Sequence, residues 1–124
     1  MCHAGPSIPF SHWLASNCRH TVNVMPKQKT TFALFFGNRG FFPASLIASA
    51  REEMWQALKA RGHDVLMLDA GATRYGAVET PLEGQVYARL LRENRGKFGG
   101  VIVCQPNFGD ETGAVAALQE AHCP

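Results

Sequence analysis

The segment Phe32–Pro43, FALFFGNRGFFP, constrains the fold more than any other part of the chain. It opens with an unbroken apolar run, which is typical of a strand buried on both faces of a parallel sheet. The run ends at Gly37-Asn38-Arg39-Gly40, where two glycines permit a sharp turn, and Pro43 suits the first turn of a following helix. The pattern predicts a central strand with Arg39 on the loop that leaves its carboxyl end.

The rest of the chain alternates strand and helix patterns in the order β-α-β-α-β-α. Strands are predicted at about 30–36, 65–68 and 101–104, with helices at about 44–60, 80–96 and from 110 onward. This order implies a parallel sheet with right-handed crossovers. We predict an α/β fold with a three-layer, Rossmann-like or flavodoxin-like parallel sheet. Its strand order is 2-1-3, and it is incomplete at the strand-three edge.

The helix termini carry recognisable signals. Thr80, Pro81 and Glu83 match a capping box with proline in the first turn, which predicts where the second helix begins. In the third helix, Val115 and Leu118 are predicted to face inward. These apolar stripes are interpreted as core and not as a cofactor site.

Three predicted loops meet at the carboxyl edge of the sheet, where open α/β sheets bind ligands. They span 37–43, 70–81 and 105–110, and the middle one is long for such a connection. Together they supply the candidate residues Arg39, Asp69, Arg74, Tyr75, Asn107, Phe108 and Asp110. Arg39 and Arg74 can bind a hydroxylated or anionic ligand, or they can be ordinary surface arginines. No histidine is predicted at this edge, so acid–base catalysis has no clear agent there.

Composition and motifs exclude several functions. A net charge of +2 does not indicate nucleic-acid binding, and no apolar run is long enough to cross a membrane. The sequence contains neither GxGxxG nor GxxxxGK[ST], so dinucleotide and P-loop binding are not indicated. A phosphate at the helix that follows Arg39 stays possible.

The first 24 residues show no apolar period, and we expect them to form a disordered extension ahead of a domain at 25–124. The absence of acidic residues is typical of a mitochondrial transit peptide, but the segment has one arginine and no amphipathic helix, which do not favour that interpretation. The spacing of its cysteines and histidines fits no common zinc module, so no metal site is predicted.

The four cysteines of the whole chain form no CxxC pair and are interpreted as free thiols in a reducing compartment.

Three stretches carry a resemblance to a known family: FALFFGNRGFFP, LDAGATRYGAVETPLEG and CQPNFGDETGAVAAL. About three quarters of the chain resembles the N-terminal domain of L-fucose/L-arabinose isomerase-like proteins. The resemblance implies cytoplasmic, homo-oligomeric enzymes of carbohydrate metabolism, which interconvert aldoses and ketoses with a divalent metal, usually manganese. The family's metal ligands lie in later domains. No catalytic residue, metal ligand or cofactor is therefore expected in this chain.

The resemblance also implies roles for particular residues. Arg39 matches an arginine that reaches the sugar in a neighbouring subunit, and the loop with Asn107 and Phe108 also approaches the sugar. Arg74 completes the predicted substrate-binding set. Fucose isomerases tend to carry tryptophan in the loop after strand three, where this chain has Pro106-Asn107-Phe108. This difference leaves the identity of the sugar open.

We therefore expect a truncated isomerase-like domain that contributes binding and assembly surfaces and is not catalytic alone. The alternative is a stand-alone flavodoxin-like module that binds a nucleotide or phosphate. A fragment with no function of its own is the third reading.

Overall fold

The computed structural model describes residues 27–43, 45–119 and 121. The strands are β1 (Thr31–Phe36), β2 (Asp64–Met67) and β3 (Gly100–Cys104), and the helices are α1 (Ser45–Ala60), α2 (Pro81–Glu93) and α3 (Glu111–Leu118). All strand pairs are parallel, in the order β2-β1-β3. The predicted α/β fold, strand order and open sheet are confirmed. The predicted extension at 1–24 lies outside the described residues.

Strand β1 is central because its side chains are apolar on both faces. Ala33 and Phe35 face one layer, where they pack with residues of α2 and α3, including Tyr87. Leu34 and Phe36 face the opposite layer, where they pack with Ile47 of α1. Burying large side chains on both faces contributes about 1.5–3 kcal/mol for each of them. The three-layer arrangement therefore follows from the unbroken apolar run.

The predicted capping box at the start of α2 is present. The Thr80 hydroxyl accepts a hydrogen bond from the Glu83 amide at 3.2 Å, and the Glu83 carboxylate accepts one from the Thr80 amide at 3.2 Å. The same carboxylate accepts a hydrogen bond from the Glu79 amide at 2.7 Å. One acidic side chain therefore fixes both the helix start and the last residue of the long loop before it.

The prediction that Val115 faces inward is wrong, since its side chain is 59% exposed. Leu118 does pack against the core, as predicted, but Gly113 and Ala117 are the buried residues of α3. A Cβ atom at Gly84 of α2 would lie 2.4 Å from the Gly113 carbonyl oxygen. The close approach of the two helices at small residues therefore decides which face of α3 turns inward.

No helix within the described residues is long and apolar enough to span a bilayer.

Cys104 is a free thiol, and burial raises its pKa. The other three cysteines lie outside the part of the chain that the structure describes.

We predict that Gly84→Ala destabilises the domain although alanine is the better helix former. The added methyl group would overlap the Gly113 carbonyl oxygen and lie 2.9 Å from the Ala116 Cβ atom. Overpacking of this kind costs about 1–3 kcal/mol. Replacing glycine by alanine inside a helix stabilises it by at most about 1 kcal/mol, so the overpacking should dominate. Urea unfolding measures the difference, with Gln85→Ala at the exposed neighbouring position as the control. A Gly84→Ala protein more stable than the parent would contradict the packing argument.

The pKa of Asp64 is lowered from 3.8 to about 2 by hydrogen bonds from Lys59 and then Lys29. The ammonium groups lie 2.7 Å and 2.9 Å from its carboxylate oxygens. Because the folded state favours the charged carboxylate, this stabilisation is complete above pH 3.8 and is lost as the pH falls toward 2.

We therefore expect Asp64→Asn to be less stable than the parent at neutral pH, and the difference to shrink as the pH falls from about 4 to about 2. Urea unfolding at several pH values across this window measures the difference. A difference that stays constant across the window would show that the two lysines do not act on the ionised carboxylate.

Candidate functional site

A buried pair of asparagines joins two of the three loops at the carboxyl edge of the sheet. Asn38 follows β1, Asn107 follows β3, and each side chain is 1% exposed. The Asn107 amide nitrogen donates to the Asn38 side-chain oxygen at 2.6 Å and to the Pro43 carbonyl oxygen at 3.3 Å. The loop after β3 is therefore tied to both ends of the loop after β1.

The third loop joins the same network through Glu79. The Asn38 amide nitrogen donates to one carboxylate oxygen of Glu79, and the other carboxylate oxygen lies 3.4 Å from the Arg74 guanidinium. The side chain of Glu79 is only 15% exposed. A carboxylate that is largely removed from water requires such partners. One connected set of polar side chains therefore spans all three loops.

Arg39 crosses from the loop after β1 to the loop after β3. Its Nε atom donates to the Gly109 carbonyl oxygen at 3.2 Å, and a terminal nitrogen lies 3.4 Å from the Glu111 carboxylate. The Arg39 side chain is 38% exposed and that of Glu111 is 83% exposed. Exposed ion pairs of this kind are weak, so the outer nitrogens of Arg39 can exchange Glu111 for a ligand.

Three phenylalanine rings form an exposed surface at the same edge, here called the aromatic patch: Phe41, Phe42 and Phe108. The Phe42 ring centroid lies 4.7 Å from that of Phe41 and 5.7 Å from that of Phe108. Phe41 is 79% exposed and Phe108 is 72% exposed. A cluster of exposed aromatic side chains is typical of ligand-binding or protein-binding surfaces.

Arg74 and Tyr75 form the opposite flank, on the loop after β2. The guanidinium of Arg74 lies 5.3 Å from the centroid of the Tyr75 ring. Hydrogen bonding to Tyr75 and the charge of Glu79 raise the pKa of Arg74. A Cβ atom at Gly40 would lie 3.1 Å from the Arg74 Nη1 atom, so this glycine lets Arg74 approach the loop after β1.

The predicted residues occupy different environments. Arg39 and Phe108 lie where the β1 and β3 loops meet, and Arg74 lies where the β1 and β2 loops meet. Asn107 is buried and supports the loops from within, through its hydrogen bond to Asn38. Whether any of these residues contacts a sugar stays a prediction.

Two further candidates, Asp69 and Asp110, are used in local structure. Asp69 accepts a hydrogen bond from the Gly71 amide at 2.8 Å. Asp110 is the N-cap of α3, and hydrogen bonds from Thr112 and the Gly113 amide lower its pKa. Both carboxylates therefore stabilise the turns in which they occur.

Sequence reasoning missed Asn38 and Glu79. Asn38 stands beside Arg39 in GNRG, and its position two residues after the end of a buried strand was the available signal. Glu79 stands next to the predicted N-cap Thr80, and no role was predicted for it. Contacts between side chains of different loops are not visible in local sequence.

The resemblance implies manganese for complete relatives, with its ligands in later domains. Within residues 27–43, 45–119 and 121, no three His, Cys, Asp or Glu side chains are grouped as metal ligands. Manganese prefers sets of carboxylate, carbonyl and water oxygens. No catalytic step through a metal is therefore derived for this part of the chain.

Comparison with known proteins gives one match. The family described as "fucose/sulfoquinovose isomerase, N-terminal domain" matches residues 33–124, which is about three quarters of the chain. No curated protein and no solved structure is significantly similar to the chain. The family match and the observed sheet order agree with the family resemblance found in the sequence. The chain belongs to the fucose/sulfoquinovose isomerase N-terminal domain family.

Proposed function

We propose that this domain supplies a sugar-facing surface of an aldose–ketose isomerase. The observation that carries the proposal is the half-exposed Arg39 guanidinium near the aromatic patch at the carboxyl edge. Membership of a sugar isomerase family supports a sugar as the ligand. Arg39 and Phe108 contact the sugar from one side, and Arg74 contacts it from the other.

The two components of this surface suit different parts of a sugar. A guanidinium presents several fixed N–H donors, which suit the oxygens of neighbouring hydroxyl groups. An aromatic face suits the apolar C–H side of a pyranose ring, since ligand sites combine apolar walls with a few placed polar groups. The arrangement binds and orients a sugar.

In this proposal, proton transfer and metal binding belong to other domains of the complete enzyme, with manganese as the metal, as the family resemblance implies. The exposed aromatic patch lets this domain close over the active site of a neighbouring subunit in a homo-oligomer. Asn107 acts as a positioning residue, because it is buried and holds Asn38 beside Arg39. We place the enzyme in the cytoplasm, where a free Cys104 thiol stays reduced.

The proposal predicts that Arg39→Ala weakens catalysis in a complete isomerase that carries this domain. Losing one hydrogen bond from a charged donor should lower kcat/KM for the sugar about tenfold to hundredfold. Arg95→Ala removes an exposed guanidinium near the end of α2 and is the matched control. Soluble, folded Arg39→Ala protein with unchanged kcat/KM would contradict the proposal.

A thermal-shift titration of the present chain separates sugar binding from nucleotide binding. We expect L-fucose to raise the Tm, and ADP and inorganic phosphate to leave it unchanged. The increase in Tm with L-fucose should be smaller in Arg39→Ala. Stabilisation by ADP or phosphate without stabilisation by sugars would replace the proposed function with phosphate binding.

Phe108 gives a further test, because its substitution should change sugar affinity while leaving the free energy of unfolding nearly unchanged. Its φ is 53°, in the left-handed region that asparagine tolerates better than phenylalanine. In Phe108→Asn, relief of this strain offsets loss of the contact with Phe42, so the free energy of unfolding should change by less than about 1 kcal/mol. Sugar affinity, measured by NMR titration, should fall. Unchanged affinity would remove Phe108 from the proposed surface.

A further inference from the structure

Arg51, in the middle of α1, reaches the base of the loop after β2. Its Nη2 atom donates to the Leu68 carbonyl oxygen at 2.7 Å, and its Nη1 atom donates to the Gly76 carbonyl oxygen at 3.0 Å. The guanidinium also lies 5.6 Å from the centroid of the Phe36 ring in β1. One side chain therefore joins the two ends of the segment 69–75 to each other and to the sheet.

Gly76 is shaped to receive this guanidinium. Its φ is 65°, and a Cβ atom there would lie 2.5 Å from Arg51 Nη1 and 3.0 Å from the Asp69 carbonyl oxygen. Any other residue would be strained and would displace Arg51. The lack of a side chain at Gly76 therefore makes room for the Arg51 guanidinium.

Arg74 and Tyr75 lie between the two clamped ends. Tyr75 is not a glycine, yet its φ is 62°, and it is 40% exposed. A non-glycine residue keeps such a conformation only where the surrounding structure imposes it. The Thr73 hydroxyl donates to the Ala77 carbonyl oxygen at 2.6 Å, which tightens the same turn.

We propose that Arg51 is a positioning residue, which clamps the ends of segment 69–75 and thereby holds Arg74 and Tyr75 at the sugar-facing edge. The inference rests on the proposed function for its ligand, but the clamp itself is testable without one. Arginine is required because its planar fork reaches two carbonyl oxygens at once, whereas the ammonium of lysine is a single point charge.

Burial lowers the pKa of Arg51, and the nearby charge of Asp69 opposes this effect. A guanidinium stays protonated throughout the accessible pH range, so the clamp does not release with pH. Its role is constant placement of the loop.

Amide hydrogen exchange of the complete 124-residue chain tests the clamp directly. The Ala72 and Gly76 amides donate within the loop, whereas the Asp64 and Gly99 amides donate to β1 or the residue before it, at the opposite edge. In Arg51→Met, we expect protection of the two loop amides to fall about tenfold to hundredfold while the other two stay unchanged. Arg51→Lys should lose most of the same protection.

Arg61→Met is the matched control, because Arg61 directly follows α1 and donates to the Ala57 carbonyl oxygen at 3.1 Å, far from the loop. It should leave protection of the loop unchanged. Equal loss of protection at all four amides in Arg51→Met would show a merely structural role and overturn the proposal. Unchanged protection of the loop would also overturn it.

An NMR titration with L-fucose tests the consequence for the ligand. In the parent chain we expect shifts at the Arg39 and Arg74 amides, and in Arg51→Met we expect only the Arg39 shift to remain. Retention of both shifts in Arg51→Met would overturn the positioning role. If L-fucose shifts neither amide in the parent, the proposed function fails, while the exchange experiment still decides whether Arg51 clamps the loop.

Discussion

The hydrogen bond between Asn107 and Asn38 is the contact on which the arrangement of the carboxyl edge depends. Both partners of the Asn107 amide nitrogen are carbonyl-type oxygens, so the nitrogen must face them. The Asn107 side chain is itself buried, so this contact lies inside the protein and not on its surface. A hydrogen bond between two buried amide groups holds the loops together more firmly than an exposed one, because neither partner has water as a ready alternative.

The same hydrogen bond helps to fix the residue beside Arg39. Asn38 is fixed by Asn107 on one side and by Glu79 on the other, and its amide donates to the Val78 carbonyl oxygen at 3.1 Å. Arg39 is the next residue, so the backbone from which its side chain extends is held in place. The freedom that remains is mainly that of the Arg39 side-chain torsions. A guanidinium that starts from a rigid backbone loses less entropy when it meets a ligand.

The sequence was sufficient for the sheet because burial on both faces of β1 leaves a local trace, FALFF, which needs no knowledge of distant residues. The capping box of α2 was equally readable, since all its parts lie within four residues. The orientation of α3 was not, because ETGAVAAL is apolar on nearly every face and its phase depends on the contact between Gly84 and Gly113. The supporting roles of Asn38, Glu79 and Arg51 depend on contacts across loops, which local patterns do not contain.

Tyr75 and Phe108 are the two non-glycine residues with positive φ in the described part of the chain, and both are exposed aromatics at the carboxyl edge. Left-handed backbone at a bulky residue costs about 1–2 kcal/mol. Exposure means that neither ring recovers this cost through full burial, so the surrounding contacts must impose the conformation. For Tyr75 those contacts are the clamp by Arg51 and the turn closed by Thr73. For Phe108 they are the neighbouring Asn107 and the ring of Phe42. The conformations of Tyr75 and Phe108 thus depend on contacts made by neighbouring residues. Strained residues that are held in this way are typical of functional sites.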